Sequence, residues 1–395
     1  MDSLTKVAII GGAGRVGLPL ALVLSDANFD VFSIDIDIKA INKIKTKSMP
    51  FFEAGAQKIL NSNLEKTFHI SNNYNEIIDS QIVIMVIGTD LDASQNPDPD
   101  KFLDVIKFVI PYLDQNKIFI LRSTISIGLY AKAESLIREA YPDIVMGYCP
   151  ERILEGNALN EIRELPQVIG VRSDCEFDSI SEIFNKFGVE TIRANPEEAE
   201  LIKLFTNTWR YAKFAIANEF WKISNEKNLD YFKIREIVIK DYPRAKDLPT
   251  AGFAAGPCLY KDTVQLYSDL GSEFQIGLNA IEINENLPKY LIDKVLDLYD
   301  LKKLRVGILG LTFKANSDDV RNSLAIKLKE LLTELCHEVT TYDPFLDNNT
   351  EKLDGVIKYS DLIIIGTPHD SFKNLVINCP IIDIWGSVKK SARIE

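Results

Sequence analysis

The chain has 395 residues, of which 46% are hydrophobic and 26% charged, and its formal net charge is −12. This length exceeds what one hydrophobic core holds, so we expect two or three domains, and the composition excludes an intrinsically disordered chain. The acidic balance argues against a nucleic-acid partner, because phosphate binding needs a clustered positive face. No apolar run approaches the roughly 20 residues of a membrane-spanning helix.

The spacing of cysteines and histidines predicts neither a disulfide framework nor a metal site. The five cysteines are far apart and form no C-x-x-C pair, and the three histidines are scattered. The opening residues, MDSLTKVAIIGG, enter a strand-like run without the shape of a signal peptide. We therefore expect a reducing, cytoplasmic setting.

The first predicted elements form a βαβ unit. Residues 6–12, KVAIIGG, predict a buried strand, the following AGRVGLPLALVLSDAN has the pattern of a helix, and DVFSIDI predicts a second buried strand. QIVIMVIGT at 81–89 and KIFILRSTIS at 117–126 predict further strands. Such a succession is typical of a doubly wound parallel sheet with helices on both faces.

A dinucleotide-binding fingerprint lies in this unit. Gly12, Gly14 and Gly17 give G-x-G-x-x-G between strand and helix, and Asp35 closes the second strand. The glycines allow a pyrophosphate to approach the backbone at the helix N-terminus, and the carboxylate accepts hydrogen bonds from the ribose hydroxyls. The cofactor we expect is NAD rather than NADP, because a 2′-phosphate would meet a carboxylate.

Four further residues complete the predicted cofactor site. Arg15 and Val16 belong to the glycine loop, while Thr89 and Thr124 follow apolar strands, where a doubly wound sheet binds its ligand. The alternative for the two threonines is a capping or turn hydroxyl.

The middle of the chain, roughly 196–300, has a helical pattern. Residues at 201, 204, 205, 208 and 212 form one stripe, in a run without proline that suits a helix bridging two domains and pairing subunits. Glu200, Lys203 and Asn207 share another face at i, i+3, i+7 spacing. This second face is either a reactive site or an ordinary solvated helix face.

The pattern of the front end recurs on a smaller scale at 301–395. RVGILGL, EVTTYDP, DLIIIGTP and IIDIWG follow one another as the first strands do. We therefore predict two Rossmann-like doubly wound domains of the α/β class, at 1–195 and 301–395, joined by a long-helix central domain at 196–300.

Two stretches carry candidate reactive groups outside the cofactor loop. In GFAAGPCLYKD, Cys258 follows small residues and precedes Lys261 and Asp262, so it is a nucleophile beside a cation or a buried structural thiol. In YCPERILEGNAL, Glu151 is a catalytic carboxylate or a surface residue.

Several motifs in order resemble one family. GGAGRVGLPLAL, PFFEAG, STIS, CPERILEGNAL, AELIKLFTNTWRYAKFAIANE, the Cys258 segment and LGLTFKANSDDVRNS are together similar to the UDP-glucose/GDP-mannose dehydrogenase family. The resemblance implies an NAD-binding domain, a helical dimerisation region and a C-terminal sugar-nucleotide-binding domain. It also implies that a sugar CH2OH is oxidised to a carboxylate in two steps with two NAD.

The resemblance assigns roles to the candidate residues. Cys258 would capture the intermediate aldehyde as a thiohemiacetal and then carry a thioester, with Lys203 and Asn207 stabilising the oxygen that becomes negative. Glu151 would act as general base for the hydrolytic water. A base assisted by Lys203, or a water held by Asp262, would take the hydroxyl proton in the first step.

It also assigns substrate contacts. Lys314 and Arg321 would bind a diphosphate, the alternative being an exposed basic pair beside two aspartates. Arg244 would reach the active site of a neighbouring subunit, so the enzyme would be a homodimer or larger. Arg152 and Lys261 complete the predicted substrate contacts.

The motifs divide between branches of the family. The Lys261–Asp262 pair is typical of UDP-glucose enzymes, whereas CPER with Arg152 and NEIRELPQVIG is typical of the UDP-N-acetylmannosamine and UDP-N-acetylglucosamine branch. DIWG also lacks the arginine that UDP-glucose enzymes tend to carry. We favour a UDP-N-acetylhexosamine, followed by UDP-glucose and GDP-mannose. The remote alternatives are a two-electron β-hydroxyacid dehydrogenase and a non-catalytic nucleotide-binding protein.

Overall fold

The computed structural model describes residues 4–89, 91–92, 94–347 and 349–388. Residue contacts divide the chain into two compact units, Met1–Thr206 and Asn207–Glu395. The boundary between the units falls inside one long helix, α8, which spans Pro196–Glu226. The finer division at 195/196 and 300/301 stays a prediction.

The first unit is built on an eight-stranded sheet in the order β3-β2-β1-β4-β5-β6-β7-β8. The pairs are parallel except β6 with β7, which are antiparallel. The strands are β1 Lys6–Ile10, β2 Asp30–Ile34, β3 Phe68–Ser71, β4 Ile82–Met85, β5 Ile118–Leu121, β6 Val145–Tyr148, β7 Gln167–Gly170 and β8 Thr191–Ala194.

Helices cover both faces of this sheet. Because side chains alternate along a strand, Val7 and Ile9 join one apolar core and Ala8 and Ile10 the other. The helices are α1 Gly17–Asp26, α2 Ile38–Lys45, α3 Ala56–Asn63, α4 Pro99–Val109, α5 Leu129–Ala140, α6 Ala158–Glu164 and α7 Asp174–Asn185, with 3-10 turns at Tyr74–Ile77 and Ile110–Tyr112.

Two strands are shorter than their apolar runs suggested. β4 ends at Met85 and β5 at Leu121, and the residues that follow each of them are loops. The loops meet beyond the sheet edge, where the Thr89 hydroxyl donates to the Thr124 carbonyl at 2.6 Å. The apolar runs in the sequence therefore extend beyond the last residues that pair with a neighbouring strand.

Helix α8 is continuous over 31 residues. Leu204, Thr208 and Ala212 of the predicted stripe are buried, but Phe205 is 54% exposed, so the stripe was wrong at that position. The remaining helices are α9 Tyr231–Ile239, α10 Leu259–Leu270, α11 Gln275–Glu285, α12 Leu287–Leu298, α13 Leu324–Leu335 and α14 Leu353–Tyr359.

The second unit contains a four-stranded parallel sheet in the order β10-β9-β11-β12. Its strands are β9 Arg305–Leu309, β10 Glu338–Tyr342, β11 Leu362–Ile365 and β12 Ile381–Ile382, and the 3-10 turns are Pro243–Ala245, Gly271–Glu273, Leu301–Lys303 and Asp370–Phe372. The predicted α/β class with two Rossmann-like sheets and a long helix is confirmed.

The order of both sheets reverses beside the first strand of each. In the first unit this crevice lies between β1 and β4, and in the second between β9 and β11. Ligands of doubly wound sheets bind at the carboxyl ends of the strands at such a point. Within the described ranges, no helix has the length and apolar character needed to cross a bilayer.

Candidate active site

The glycine loop after β1 packs closely against its own backbone and against β2. A Cβ on Gly17 would lie 2.1 Å from the Gly11 carbonyl oxygen, and one on Gly12 would lie 2.6 Å from Ser33 Cβ. By contrast, a Cβ on Gly14 would meet nothing nearer than 3.4 Å. Gly12 and Gly17 are thus needed for packing, while Gly14 faces open space where a ligand can approach the backbone.

The N-terminus of α1 is suited to an anion. Val16 occupies the N-cap position and provides no side-chain cap, so the first N–H groups of α1 have no capping acceptor from it. Nearly all of α1 is buried, which fixes its axis against the sheet. A helix N-terminus with donors of this kind binds phosphate oxygens.

Asp35 follows β2 and is only partly buried. Its Oδ2 accepts from the Ala13 N–H at 2.9 Å and its Oδ1 accepts from the Asp37 N–H at 3.0 Å. These two bonds hold the carboxylate beside the glycine loop. Each carboxylate oxygen has a second lone pair, which leaves acceptors for two ribose hydroxyls. The glycine loop and Asp35 therefore fit NAD.

A cavity of about 640 Å³ opens beside Asp35. Ile36, Tyr74 and Phe108 are among its lining residues, and Ile36 is 81% exposed. Burial, and secondarily the charge of Asp35, raises the pKa of Tyr74, which keeps this phenol neutral. The sequence reasoning missed the cavity, although Ile36 directly follows Asp35, the residue predicted to bind the ribose.

Glu151 is held by four hydrogen bonds. Its Oε1 accepts from the N–H groups of Arg152 and Ile153 at 2.7 and 3.1 Å, and its Oε2 accepts from Nε of Arg122 at 2.9 Å and from Nη2 of the same side chain. Arg122 is 2% exposed and also contacts Gln167. Because a carboxylate has about four acceptor positions, this set engages all of them.

Arg122 was missed by the sequence reasoning. It directly follows β5 and lies two residues before the predicted site residue Thr124. A charged side chain at this end of a strand is the signal that could have identified it. Arg152 donates to the carbonyl of Pro166, and burial lowers its pKa. Its predicted contact with the substrate stays a prediction. Arg15 stacks over the Phe51 ring at 4.9 Å and lies 4.0 Å from Glu155.

Lys203 and Glu200 lie on a buried face of α8. They are 7% and 1% exposed, so the solvated-face alternative is wrong for this part of the helix. Glu200 accepts from the N–H groups of Gly128 and Tyr130 at 2.7 and 2.8 Å and so caps α5. Burial raises the pKa of Glu200. Glu200 thereby fixes the turn of α8 from which Lys203 projects.

In the second unit, Asn207, Lys261 and Asp262 form a buried cluster. Asn207 Nδ2 donates to Asp262 Oδ2 at 2.5 Å, and Lys261 Nζ lies 2.7 Å from Asp262 Oδ1. Asp262 is fully buried and the other two side chains nearly so. A buried charge that is paired in this way keeps a fixed position. Three residues predicted from sequence are thus brought together.

Cys258 stands at the N-cap position of α10 and is exposed. Its position at the start of the helix leaves the sulfur accessible to a ligand. Cys149 is fully buried, and burial raises its pKa to about 12. Burial also raises the pKa of Cys336 and Cys379.

The remaining predicted substrate contacts lie apart from this cluster in the chain. Arg321 is held by Asp319, whose Oδ2 lies 2.6 Å from Arg321 Nη2. Lys314 lies seven residues earlier in the same segment and is partly buried. Arg244 is exposed, stacks over Tyr242 at 4.5 Å and donates to its hydroxyl at 2.9 Å. Their ligand contacts stay predictions.

Comparison with known proteins agrees with this architecture. Family models described as the UDP-glucose/GDP-mannose dehydrogenase family match in three consecutive stretches: the NAD binding domain at residues 5–188, the central domain at 197–286 and the UDP binding domain at 307–390. The matches together cover most of the chain.

Individual relatives and structures match from end to end. The UDP-N-acetyl-D-mannosamine dehydrogenase of Pyrococcus horikoshii is 28% identical over 98% of this chain and 93% of its own length. A UDP-glucose 6-dehydrogenase of Bacillus subtilis is 27% identical over 99% and 86%. The solved structure of the Pyrococcus enzyme superposes with a TM-score of 0.92 at 26% identity, over 98% of this chain and 97% of that one.

The fold, the glycine loop with Asp35 and the matched domains define an NAD-dependent oxidoreductase. The chain belongs to the UDP-glucose/GDP-mannose dehydrogenase family. The predictions of family, enzyme class and cofactor are therefore confirmed.

Proposed function

We propose that this enzyme oxidises C6 of a UDP-N-acetylhexosamine, such as UDP-N-acetylmannosamine or UDP-N-acetylglucosamine, from CH2OH to carboxylate. The observation that carries the proposal is the exposed Cys258 at the start of α10, followed within one turn by the buried Lys261–Asp262 pair. Support for the sugar comes from six relatives named UDP-N-acetyl-D-mannosamine dehydrogenase, each 28% or 29% identical to this chain.

When bound, NAD supplies the oxidising chemistry: two molecules accept one hydride each, so one alcohol, one water and two NAD⁺ become one carboxylate, two NADH and three protons. Gly12, Gly14, Gly17 and Asp35 would hold it, with Arg15, Val16, Thr89 and Thr124 alongside. The hydroxyl proton of the substrate passes to a base assisted by Lys203 or to a water held by Asp262.

Cys258 then forms a covalent intermediate with the aldehyde. Its sulfur adds to C6, the S–C bond forms, and the carbonyl electron pair moves to oxygen. The Lys203 ammonium and the Asn207 amide stabilise this oxygen. The two residues are one turn apart on α8, and the bond from Asn207 to Asp262 uses only one of the two amide hydrogens. After the second oxidation the sulfur carries a thioester.

Hydrolysis of the thioester returns the free thiol. Water adds to the thioester carbon, Glu151 takes its proton, the C–S bond breaks and the carboxylate leaves. Since four donors engage Glu151, one of them must give way to water before the base can act. Arg122 is the side chain that would make this exchange. Lys314 and Arg321 would bind the diphosphate, and Arg152 and Lys261 would complete the substrate contacts.

The first experiment measures NADH formation with a panel of limiting sugar nucleotides, each run to completion. The panel holds UDP-N-acetylmannosamine, UDP-N-acetylglucosamine, UDP-N-acetylgalactosamine, UDP-glucose and GDP-mannose. Two NADH per sugar with an N-acetylated member is the expected result. Turnover of UDP-glucose alone would select the alternative that the Lys261–Asp262 pair favours. One NADH per sugar would indicate a two-electron alcohol dehydrogenase.

Cys258→Ser tests the covalent step. The variant should bind NAD and the sugar nucleotide as before but lose uronate formation, because a serine hydroxyl is a much weaker nucleophile than a cysteine thiol. Cys175→Ser is the matched control, since Cys175 is also exposed. Uronate formation by Cys258→Ser at the wild-type rate would exclude the thioester.

We also propose that two copies pair through α8. Trp209, Ile216, Phe220 and Ile223 share one face of this helix and are 58, 45, 47 and 53% exposed. A continuous apolar face of this kind is typical of a protein interface. Replacing Ile216 and Phe220 by glutamate should yield monomers in light scattering. Val376→Glu, at a residue that is 78% exposed, is the control.

Mixed dimers test the prediction for Arg244. If Arg244 serves the neighbouring subunit, combining the inactive Cys258→Ser and Arg244→Ala variants creates hybrid dimers with one intact site, and about a quarter of wild-type activity returns. If Arg244 serves its own subunit, no activity returns. By family analogy, the reaction is expected in the cytoplasm, in the supply of uronates for a surface polysaccharide.

A further inference from the structure

The segment before the proposed nucleophile, residues 251–257, is buried along its whole length, whereas Cys258 is exposed. We call it the thiol loop. Two of its residues have backbone angles that favour glycine, Gly252 with φ of +154° and Gly256 with φ of +103°. The position of the thiol therefore depends on what holds these two glycines.

Gly252 is held from two sides. Its N–H donates to Asn218 Oδ1 at 2.9 Å, and its carbonyl accepts from Asn218 Nδ2 at 3.1 Å. On the other side the Trp385 ring packs so closely that a Cβ on Gly252 would lie 2.2 Å from it. Asn218 is fully buried and also donates to Asn284, so this end of the thiol loop is fixed.

Gly256, two residues before the thiol, contacts segment 311–322, which contains the proposed diphosphate ligands Lys314 and Arg321. A Cβ on Gly256 would lie 2.4 Å from the Phe313 ring, and the Gly256 N–H donates to the Asn322 carbonyl at 3.3 Å. Phe313 immediately precedes Lys314, and Asn322 immediately follows Arg321. Both contacts to Gly256 thus come from neighbours of the two proposed diphosphate ligands.

Segment 311–322 is itself tied together. The Phe313 N–H donates to the Asp319 carbonyl at 2.9 Å, and the carboxylate of the same aspartate holds Arg321. The Thr312 hydroxyl donates to the Lys314 carbonyl at 2.9 Å. Because Arg321 is paired with Asp319, a diphosphate that binds Arg321 competes for the same donors and shifts this network.

We propose that Phe313 is a positioning residue that couples a nucleoside diphosphate at Lys314 and Arg321 to the placement of the Cys258 thiol through Gly256. This inference rests on the proposed function, since it assigns a purpose to the same site. Its consequence is that the thiol is set for aldehyde capture only when the sugar nucleotide is in place. A thiol out of place leaves the C6 aldehyde free to depart after one oxidation.

The first test measures alkylation of Cys258 by iodoacetamide, followed by peptide mass spectrometry, with UDP as the probe. UDP should slow alkylation of the wild type at least about fivefold through the coupling. Phe313→Ala should bind UDP in calorimetry yet show no such change. Wild-type protein that binds UDP with an unchanged alkylation rate would overturn the proposal, and so would a wild type that does not bind UDP.

The second test counts NADH and traps free aldehyde with hydroxylamine. Phe313→Ala should release aldehyde and form fewer than two NADH per sugar, with Phe313→Leu between it and the wild type. Loss of stability alone would lower the rate but leave the ratio at two. The matched control is Phe274→Ala, which removes another ring packed on a glycine, Gly277, at the start of α11 and outside both the thiol loop and segment 311–322.

The outcomes separate the two proposals. A ratio of two in Phe313→Ala, with no trapped aldehyde, would overturn the coupling and leave the proposed function intact. A wild type without a second oxidation would refute the proposed function. The alkylation measurement would still decide the coupling, because it uses UDP alone.

Discussion

The two Rossmann-like sheets use one design for different purposes. In each sheet the first strand in the chain is directly followed by a glycine of positive φ, Gly11 after β1 and Gly310 after β9. Each of these glycines packs against the strand across the crevice: a Cβ would lie 2.4 Å from the carbonyl of Val86 in the first unit and of Thr367 in the second. The backbone framework is therefore the same.

The aspartates after the second strands differ. Asp35 is partly exposed and accepts two backbone N–H groups. Asp343 is fully buried, accepts from the N–H groups of Leu311, Thr312 and Phe345, and also pairs with His369 at 3.0 Å. His369 thus occupies the acceptor that a ribose would need.

Because Asp343 is fully buried and paired with His369, it offers no accessible oxygen to a ribose hydroxyl. In the first unit residues 11–16 lie between β1 and α1, while in the second unit residues 310–323 lie between β9 and α13. That longer segment carries Lys314 and Arg321. The proposed ligand contacts of the second unit therefore lie in this segment rather than at the strand-end carboxylate.

The largest expected effect comes from Asp343→Ala. The substitution leaves the buried N–H groups of Leu311 and Thr312, the partly buried N–H of Phe345 and the His369 ring without their acceptor. The free energy of unfolding should therefore fall by about 3–5 kcal/mol. Asp35→Ala should cost about 1 kcal/mol, because water replaces its bonds. Urea unfolding of Asp343→Ala is measured by tryptophan fluorescence, because the three tryptophans lie in the second unit. Unfolding of Asp35→Ala is measured by circular dichroism. Equal losses would contradict the comparison.

Next in size is Gly17→Ala. Its Cβ would lie 2.1 Å from the Gly11 carbonyl oxygen, which is backbone and cannot move aside, so we expect a loss of about 1–3 kcal/mol. Gly14→Ala is the matched variant, whose Cβ meets nothing nearer than 3.4 Å. It should keep its stability but bind NAD more weakly. Similar stability losses in both would disprove the division of roles between these glycines.

Asp35→Asn should weaken NAD binding about tenfold, because a charged acceptor for the ribose becomes neutral. Discrimination against NADP should relax as well. Asp37→Asn makes the same chemical change at the N-cap of α2, where asparagine caps equally well, so NAD affinity should change less than about twofold. Titration calorimetry with both cofactors provides the measurement. Unchanged discrimination in Asp35→Asn would place specificity elsewhere.

The smallest effect concerns acid. Burial works to raise the pKa of Asp343, but the hydrogen bond and charge of His369 and the backbone donors hold it below 3.8. Folding therefore favours the ionised carboxyl, and its contribution is present above the unfolded pKa and lost as pH falls from about 4 through the folded pKa. His369→Gln should flatten this loss in unfolding measured at successive pH values. If the free energy of unfolding falls with pH equally steeply in the variant and the wild type, His369 is not the cause of the lowered pKa of Asp343.

The sequence was sufficient to predict those features that depend on a tight turn or on helical periodicity. The glycine loop, Asp35 and α8 followed from spacing, because each is determined by contacts close in the chain. The pairing of Glu151 with Arg122, and of Asp343 with His369, was not predictable, since the partners lie 29 and 26 residues apart and meet only in the folded sheet. Apolar composition likewise did not mark the ends of β4 and β5, because a strand ends where its hydrogen bonds to the neighbouring strand stop.

The five cysteines differ in how easily an oxidant can reach them. Cys149 is enclosed, Cys336 and Cys379 are partly covered, and Cys175 and Cys258 are exposed. Both exposed thiols lie at the start of a helix, Cys175 as the second residue of α7 and Cys258 at the N-cap of α10, so an oxidant such as peroxide can reach either of them. If Cys258 carries the thioester as proposed, its reversible oxidation would stop the reaction while leaving the fold intact, because its side chain is exposed. A thiol reductant would then restore activity without refolding.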